Sequence, residues 1–256
     1  MALFLDGPAV SIDDLINEDS GLLVTSQTVG INVTAKLQLA MSEVQSELET
    51  VLLRLQTATG FGSIQPPGIG QVVVTPDLAR REKMQALVMV YRDAAYTQLI
   101  DRYKAKWDMF IKLTQAARDQ FIANGVGLVN DPMPEAAIPV LGTVSVPSVQ
   151  TGGTYYACVT WVNAEGQEGS PSPAGSIVVP ANNLMTVMAA GAPANAVGFD
   201  VYAGPVLANM TLQNSVVLPV GGSFTYIPGS STSSQLPGTG QAPDYVKALP
   251  ASIMRG

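Results

Sequence analysis

The charged residues of this 256-residue chain are concentrated in its first half, and this asymmetry constrains the fold more than any other sequence feature. Of the 13 Lys and Arg residues, 11 lie between Lys36 and Arg118, and 16 of the 20 acidic residues lie at or before Glu135. The chain is long enough for two ordinary domains. The change in composition therefore predicts a domain boundary near residue 136.

The start of the chain has the periodicity of amphipathic helices. Residues 11–18 predict a short helix with Ser11 as its N-cap. A polar stretch then leads to residues 33–57, where apolar side chains recur every three or four positions and predict a long helix. A helix of this kind must bury its apolar stripe against a partner.

A second helical region is predicted after a loop that contains consecutive prolines. Thr75 is suited to the N-cap, and Asn124 with Gly125 is suited to the C-terminal end. The apolar periodicity of residues 76–123 is longer than most helices. Two alternatives therefore remain open, one long helix or two helices bent near residues 96–106.

The period changes after residues 131–139, whose three prolines predict a linker. Short runs rich in Val, Thr, Tyr and Phe follow, separated by turn-forming residues. They cover residues 140–146, 154–163, 176–179, 184–189, 197–203, 210–218 and 223–227. The alternation of side chains between the two faces of a strand is clearest in residues 154–162. The pattern predicts an antiparallel β-sandwich of about seven strands.

Together these patterns predict an α+β chain with two domains: a bundle of long antiparallel helices over residues 1–136 and a β-sandwich over 137–230. Residues 231–256 are predicted to be a flexible linker and a C-terminal arm, because Ser, Thr, Gly and Pro dominate their start. Apolar side chains after such a spacer predict a partner-binding arm, and a disordered tail is the alternative. The arm's predicted contact residues are Tyr245, Val246, Leu249, Ile253 and Met254.

The composition argues against several classes of function. A net charge of −7 and a pI near 4.5 do not suit sequence-specific nucleic-acid binding, which needs clustered Lys and Arg. The chain has no His, and its one cysteine, Cys158, lies within a predicted strand where a buried, inert thiol is expected. No segment is long and apolar enough to suggest a membrane span. We therefore predict no metal site, no cofactor and no catalytic residue.

Carboxylates are the remaining route to catalysis. Glycoside hydrolysis needs two carboxyl groups at a set separation. Neighbouring acidic residues occur at Asp13/Asp14, Glu18/Asp19 and Glu47/Glu49, all in or beside predicted helices where solvated charges are ordinary. A carboxylate-dependent cell-wall hydrolase is therefore kept as an alternative to a protein that is not an enzyme.

Three segments of the second half resemble a known module. Residues 154–173 read TYYACVTWVNAEGQEGSPSP, residues 197–204 read VGFDVYAG, and residues 223–227 read SFTYI. They resemble the fibronectin type III-like, or Ig-like, modules carried by structural proteins of tailed bacteriophages. The resemblance covers roughly residues 138–230 and implies a β-sandwich without catalytic residues.

The helical half is similar in architecture to the head-to-tail adaptor, or connector, proteins of tailed phages. The resemblance implies a virion protein that is made in the host cytoplasm and lies at the head-tail junction. It implies a homo-oligomeric ring of about twelve subunits, a dodecamer, that joins the portal protein to tail nozzle, hub or fibre proteins. Another virion component is the alternative, such as a minor tail, fibre-attachment or capsid decoration protein that binds through its sandwich.

Overall fold

A computed structural model describes residues 2–58, 67–97, 101–147, 152–230, 233–238 and 240–247, with only the backbone at 56–58 and 101. The chain divides into two compact units. We call Gly7–Leu128 with Pro243–Gly256 the helical unit, and Met1–Asp6 with Val129–Ala242 the sheet unit. The α+β class predicted from the sequence is confirmed, whereas the predicted division into residues 1–136, 137–230 and 231–256 stays a prediction.

The helical unit contains five described helices, each with a local reason for its ends. They are α1 (Ile12–Glu18), α2 (Leu22–Val29), α3 (Val33–Ala58), α4 (Pro76–Thr97) and α5 (Lys104–Asn124). Ser11 and Asp14 form the reciprocal capping box at the start of α1. The Thr75 hydroxyl accepts a hydrogen bond from the backbone N–H of Leu78 at 3.3 Å. Gly125, with φ 97°, ends α5 in a conformation that favours glycine.

Helices α3 and α4 run antiparallel. Arg81, near the start of α4, contacts Glu47 in the second half of α3. Asp93, near the end of α4, pairs instead with Lys36 near the start of α3. The apolar stripe predicted for residues 33–57 is therefore buried against α4.

Helices α4 and α5 are also antiparallel. Asp77 at the start of α4 accepts a hydrogen bond from Asn124 at the end of α5. The ring of Tyr91, further along α4, stacks on Phe110 near the start of α5 with centroids 5.3 Å apart. The region 76–123 is therefore two helices, which decides between the alternatives that the sequence left open.

Helix α2 was not predicted, because the sequence indicated only a polar stretch there. Its buried face contains Leu22 together with the polar side chains of Thr25 and Ser26. The Ser26 hydroxyl donates to the carbonyl of Leu23, which satisfies it inside the helix. Polar residues on the buried face remove the amphipathic pattern by which a helix is recognised.

The sheet unit contains antiparallel strands in two sheets. Strands β2 (Val140–Ser145), β5 (Asn183–Met188) and β9 (Ser223–Tyr226) form a three-stranded sheet in the order β2-β5-β9. The second sheet has five strands, which are β3 (Gly153–Val162), β4 (Gly175–Val179), β6 (Gly198–Gly204), β7 (Thr211–Leu212) and β8 (Leu218–Pro219). Their order is β4-β3-β6-β7, and β8 also pairs with β6.

The two sheets share one hydrophobic core. Trp161 of β3 and Phe199 of β6 meet edge to face with centroids 6.0 Å apart. Met185 and Val187 of β5, from the other sheet, belong to the same buried cluster. Met133, in the predicted linker, is also fully buried there. The alternation predicted for residues 154–162 is confirmed, since Cys158 faces a separate small cluster on the opposite side of its sheet.

The predicted strands differ from the structure mainly at residues 210–218, which form two short strands instead of one. Asn214 interrupts the run: its side chain donates to the backbone carbonyl of Val216 and accepts from the N–H of Val201. These bonds replace a regular strand ladder with a local loop. Two further strands, β1 (Val126–Leu128) and β10 (Asp244–Val246), pair in the helical unit and were not predicted.

Candidate partner-binding surfaces

The predicted arm begins as a strand bound to its own chain. Tyr245 and Val246 lie in β10, where Gly127 of β1 is opposite Tyr245 and Val126 is opposite Val246. Tyr245 remains 52% exposed and Val246 is half-buried. The other three predicted contact residues, at positions 249, 253 and 254, lie outside the described residues. The structure therefore describes two of the five predicted contact residues, and of these two only Tyr245 presents a large exposed side chain.

Gly127 explains why β1 can lie so close to Thr75 and Pro243. A Cβ atom at Gly127 would be 2.7 Å from a methyl carbon of Thr75 and 3.0 Å from Cβ of Pro243. The backbone of β1 also accepts a hydrogen bond at the Gly127 carbonyl from the N–H of Val73, at 3.0 Å. Only glycine leaves room for this close approach of three segments. The start of the arm is thus fixed to the segment that caps α4.

The residues before β10 are held by two glutamine side chains within the sheet unit. Gln241 is 1% exposed, accepts from the backbone N–H of Met133 at 2.8 Å and donates to its carbonyl at 3.0 Å. Gln235 donates to Glu168 at 3.0 Å and to the Tyr202 hydroxyl at 3.1 Å. These bonds fasten two points of the segment that the composition predicts to be a flexible linker.

Glu168 is the centre of a polar network on the five-stranded sheet. It accepts hydrogen bonds from Thr160 at 3.2 Å and Tyr202 at 2.7 Å, in addition to the one from Gln235. Burial raises the pKa of the neighbouring Asp200, an effect that the hydrogen bond from Asn214 opposes and the charge of Glu168 increases. The donors that surround Glu168 come from β3, β6 and the segment after β9. The network therefore joins these elements together.

Each acidic pair noted in the sequence has at least one member that is engaged with neighbouring groups. The backbone N–H and the hydroxyl of Ser11 both donate to Asp14 at 2.7 Å, and these bonds lower its pKa. Glu18 forms an ion pair with Lys83 at 2.7 Å. The lowered pKa of Asp14 is the opposite of what the general acid of a glycosidase needs, which is a raised pKa. Glu49, from the third pair, accepts a hydrogen bond from Gln45 at 2.9 Å.

Asp19 belongs to a compact cluster between α1 and α5. Lys106 donates to both carboxylate oxygens of Asp19 at 2.8 Å, and the Tyr91 hydroxyl donates to the same carboxylate. Partial burial raises the pKa of Asp19, but the hydrogen bonds from Lys106 and Tyr91 outweigh it and leave the pKa below its ordinary value. This cluster fastens the residues after α1 to α4 and α5.

Glu82 is a buried carboxyl group that sequence reasoning missed. Its side chain is fully buried; Oε1 accepts from the backbone N–H of Ala9 at 3.0 Å, and Oε2 has no hydrogen-bond partner among the described residues. Burial raises its pKa to about 7, against the hydrogen bond from Ala9. A signal was present in the sequence, because Glu82 lies four residues from both Leu78 and Ala86 and thus on the apolar face of α4.

The outer faces of the long helices carry exposed aliphatic side chains. Leu39 and Leu53 of α3 are 43% and 59% exposed, and Met109 and Ile122 of α5 are 46% and 43% exposed. A groove of about 340 Å³ runs beside the second half of α3 and the end of α5. Its lining includes Ile122, three arginines and one glutamate.

Within the described ranges, no group of three or more acidic or cysteine side chains lies close enough together to hold a metal ion. Cys158 is 2% exposed, and burial raises the pKa of its thiol to about 11. None of the described helices is both long and apolar enough to cross a bilayer. The sequence matches no family model, and no curated protein matches it at a significant level.

Proposed function

We propose that this chain is a structural virion protein of a tailed phage, a head-to-tail adaptor whose copies form a ring that joins the portal to the tail. The proposal requires no enzymatic activity and no cofactor. It rests on the resemblance of the chain to phage modules and on the surfaces described above. Its physical basis is that both units present apolar side chains where a partner would bury them.

The observation that carries the proposal is a set of exposed apolar side chains on the outer faces of two helices. They are Leu39 and Leu53 of α3 and Met109 and Ile122 of α5. These helices already bury one face against α4, so the exposed side chains are additional to the helical core. Apolar area on rigid helices is the surface that subunit interfaces bury. Contact with neighbouring copies would remove it from water.

The sheet unit supports a role in protein contacts for a different reason. Between Val129 and Ala242 the chain has no Lys or Arg, while valines such as Val178 and Val216 are 73% and 76% exposed. Interface cores are depleted of charge because few charged groups then need to be desolvated. We assign this unit to a fibronectin type III-like or Ig-like β-sandwich that binds tail nozzle, hub or fibre proteins.

The portal contact is proposed to involve Tyr245, Val246, Leu249, Ile253 and Met254. Because β10 is paired with β1, Tyr245 and Val246 would contact the portal from this strand, and the other three residues would contact it from the segment that follows. Deletion of residues 248–256 keeps β10 and should weaken portal binding while the helical circular dichroism stays unchanged. Tyr245→Ala is the matched test inside the strand. Portal binding equal to that of the full chain in both variants would reject the arm.

The experiment that tests the function is co-sedimentation of the full chain with portal rings of the same phage. The adaptor predicts a complex that contains both proteins and whose image by electron microscopy shows a ring under the portal. A monomer or trimer that ignores portal but binds capsid or fibre protein would favour the alternative of another virion component. Cleavage of peptidoglycan, abolished by substitution of a single Glu, would overturn the claim that the protein is not an enzyme.

A further inference from the structure

The groove beside α3 and α5 is positively charged although the chain as a whole is acidic. Glu47 forms ion pairs with two arginines. Arg81 lies 3.0 Å from Oε2 of Glu47, and Arg118 donates a hydrogen bond to Oε1. Arg54 also lines the groove. The two guanidinium groups of Arg81 and Arg118 on one carboxylate leave an excess of positive charge. Ile122 adds an exposed apolar side chain to the same lining.

A surface of opposite sign lies on α1. The helix and its C-cap contain four acidic residues and no basic one: Asp13, Asp14, Glu18 and Asp19. Glu18 and Asp19 are neutralised by lysines of α4 and α5. Asp13 is exposed and forms no ion pair within the part of the chain that the structure describes. The outward charge of α1 is therefore negative.

These two surfaces lie on opposite sides of α4. Arg81 contacts α3 in the groove, and Lys83 contacts Glu18 of α1. Successive residues of a helix are about 100° apart around its axis, so Arg81 and Lys83 point about 200° apart. One copy of the helical unit thus carries a basic groove on one side and an acidic helix on the other.

We propose that α1 of one copy docks into the groove of the next, with Asp13 facing Arg118 across the contact. The inference deepens the proposed ring by naming its two faces, and it rests on the proposal that the chain self-associates. A contact between two different faces of the same protein is heterologous, and it closes into a ring when the rotation between copies permits. The chain itself supplies the complementary charge, which is why a second copy is the occupant.

Exposed apolar side chains accompany both surfaces. Ile122 lines the groove and is exposed, and Leu53, which precedes Arg54 on α3, is also exposed. Leu23 and Val24 of α2, which follows α1, are 41% and 63% exposed. Charge complementarity then sets the register and orientation, while burial of these side chains provides affinity.

Charge reversal tests the contact in the full chain. Arg118→Glu and Asp13→Lys should each raise the concentration at which the oligomer dissociates by at least about tenfold, measured by sedimentation velocity. The double variant carries the swapped pair and should recover most of the loss. Equal amounts of the two single variants should also assemble, because each altered face then meets its complement. Lys112→Glu makes the same charge change at an exposed site on α5 and should assemble like the unaltered chain.

The outcomes separate this inference from the proposed function. If the unaltered chain is a monomer at every concentration, both fail. If it assembles and binds portal but Arg118→Glu assembles equally well, only the named contact is overturned. If both single variants are weakened and the double variant is no better, Asp13 does not face Arg118. If Arg118→Glu retains assembly and loses portal binding, the groove holds portal and not a second copy. Far-ultraviolet circular dichroism checks that each variant is folded.

Discussion

Replacement of Glu82 by glutamine should remove a pH dependence of stability that originates in the helical unit. Burial raises the pKa of Glu82 from an ordinary value of 4.5 to about 7. Because the folded-state pKa is the higher one, the folded chain binds an extra proton between these values. The stabilisation is complete below about pH 4.5 and is lost as the pH rises to about 7.

The magnitude follows from the width of that interval. At about 1.4 kcal/mol per pH unit, the contribution of Glu82 amounts to roughly 3 kcal/mol. Glutamine keeps an oxygen that can accept from Ala9, has a similar volume and does not ionise. Glu82→Gln should therefore match the unaltered chain at pH 5 and be more stable by up to about 3 kcal/mol at pH 8.

The assay is urea unfolding at pH 5 and pH 8, followed by helical circular dichroism. Glu49→Gln is the control, since Glu49 is an exposed carboxylate of α3 that takes part in a local hydrogen bond. It should leave the difference between the two pH values unchanged. An equal pH dependence in Glu82→Gln and the unaltered chain would refute the assignment of a protonated, buried carboxyl group to Glu82.

Three further predictions concern groups held inside the fold. Lys106→Met leaves Asp19 without its cation and should lower the free energy of unfolding by about 1–2 kcal/mol at pH 7. The loss should be smaller at pH 3, because the depressed pKa of Asp19 stabilises the fold only while the group is ionised. Gln241→Ala removes both hydrogen bonds to the buried backbone of Met133 and should cost about 2–3 kcal/mol in urea unfolding. The Cys158 thiol should react with a disulfide reagent only as fast as the chain unfolds, as followed by absorbance.

The two substitutions have matched control variants. Lys112→Met removes an exposed lysine from the same helix as Lys106, and Gln115→Ala removes an exposed glutamine. Both should change stability by less than about 0.5 kcal/mol. Equal losses in target and control would contradict the contacts assigned to Lys106 and Gln241. Rapid labelling of Cys158 in the folded chain, at the rate seen in urea, would contradict its burial.

The sequence predicts the elements whose signal is local. Ser11 with Asp14, and Thr75 followed by proline, are capping patterns that need no knowledge of the rest of the chain. The apolar period of residues 33–57 and the alternation of residues 154–162 are equally local. These segments were assigned correctly because the spacing of their own apolar residues indicates which face is buried.

What the sequence does not predict depends on distant partners. Strands β1 and β10 have three residues each and are separated by more than a hundred residues, so neither shows alternation of its own. The bonds of Gln241 to Met133 likewise join a predicted arm to a predicted linker. A tertiary contact of this kind adds no periodicity to either segment.

The candidate surfaces could be predicted only in part. Apolar residues at positions 245 and 246 indicated a binding arm, but their pairing with β1 has no sequence signal. The basic groove combines Glu47, Arg81 and Arg118 from three helices, and only the packing of α3, α4 and α5 brings them together. The net charge of the chain is negative, so the composition does not indicate that this groove is basic.

The mass of the purified chain, measured alone and with portal rings, decides whether the protein forms an adaptor ring. We expect a closed oligomer whose mass is a fixed multiple of the 26.7 kDa chain, near twelvefold, and which binds portal in a defined ratio. A particle of 26.7 kDa that stays a monomer at all concentrations and does not bind portal would contradict it.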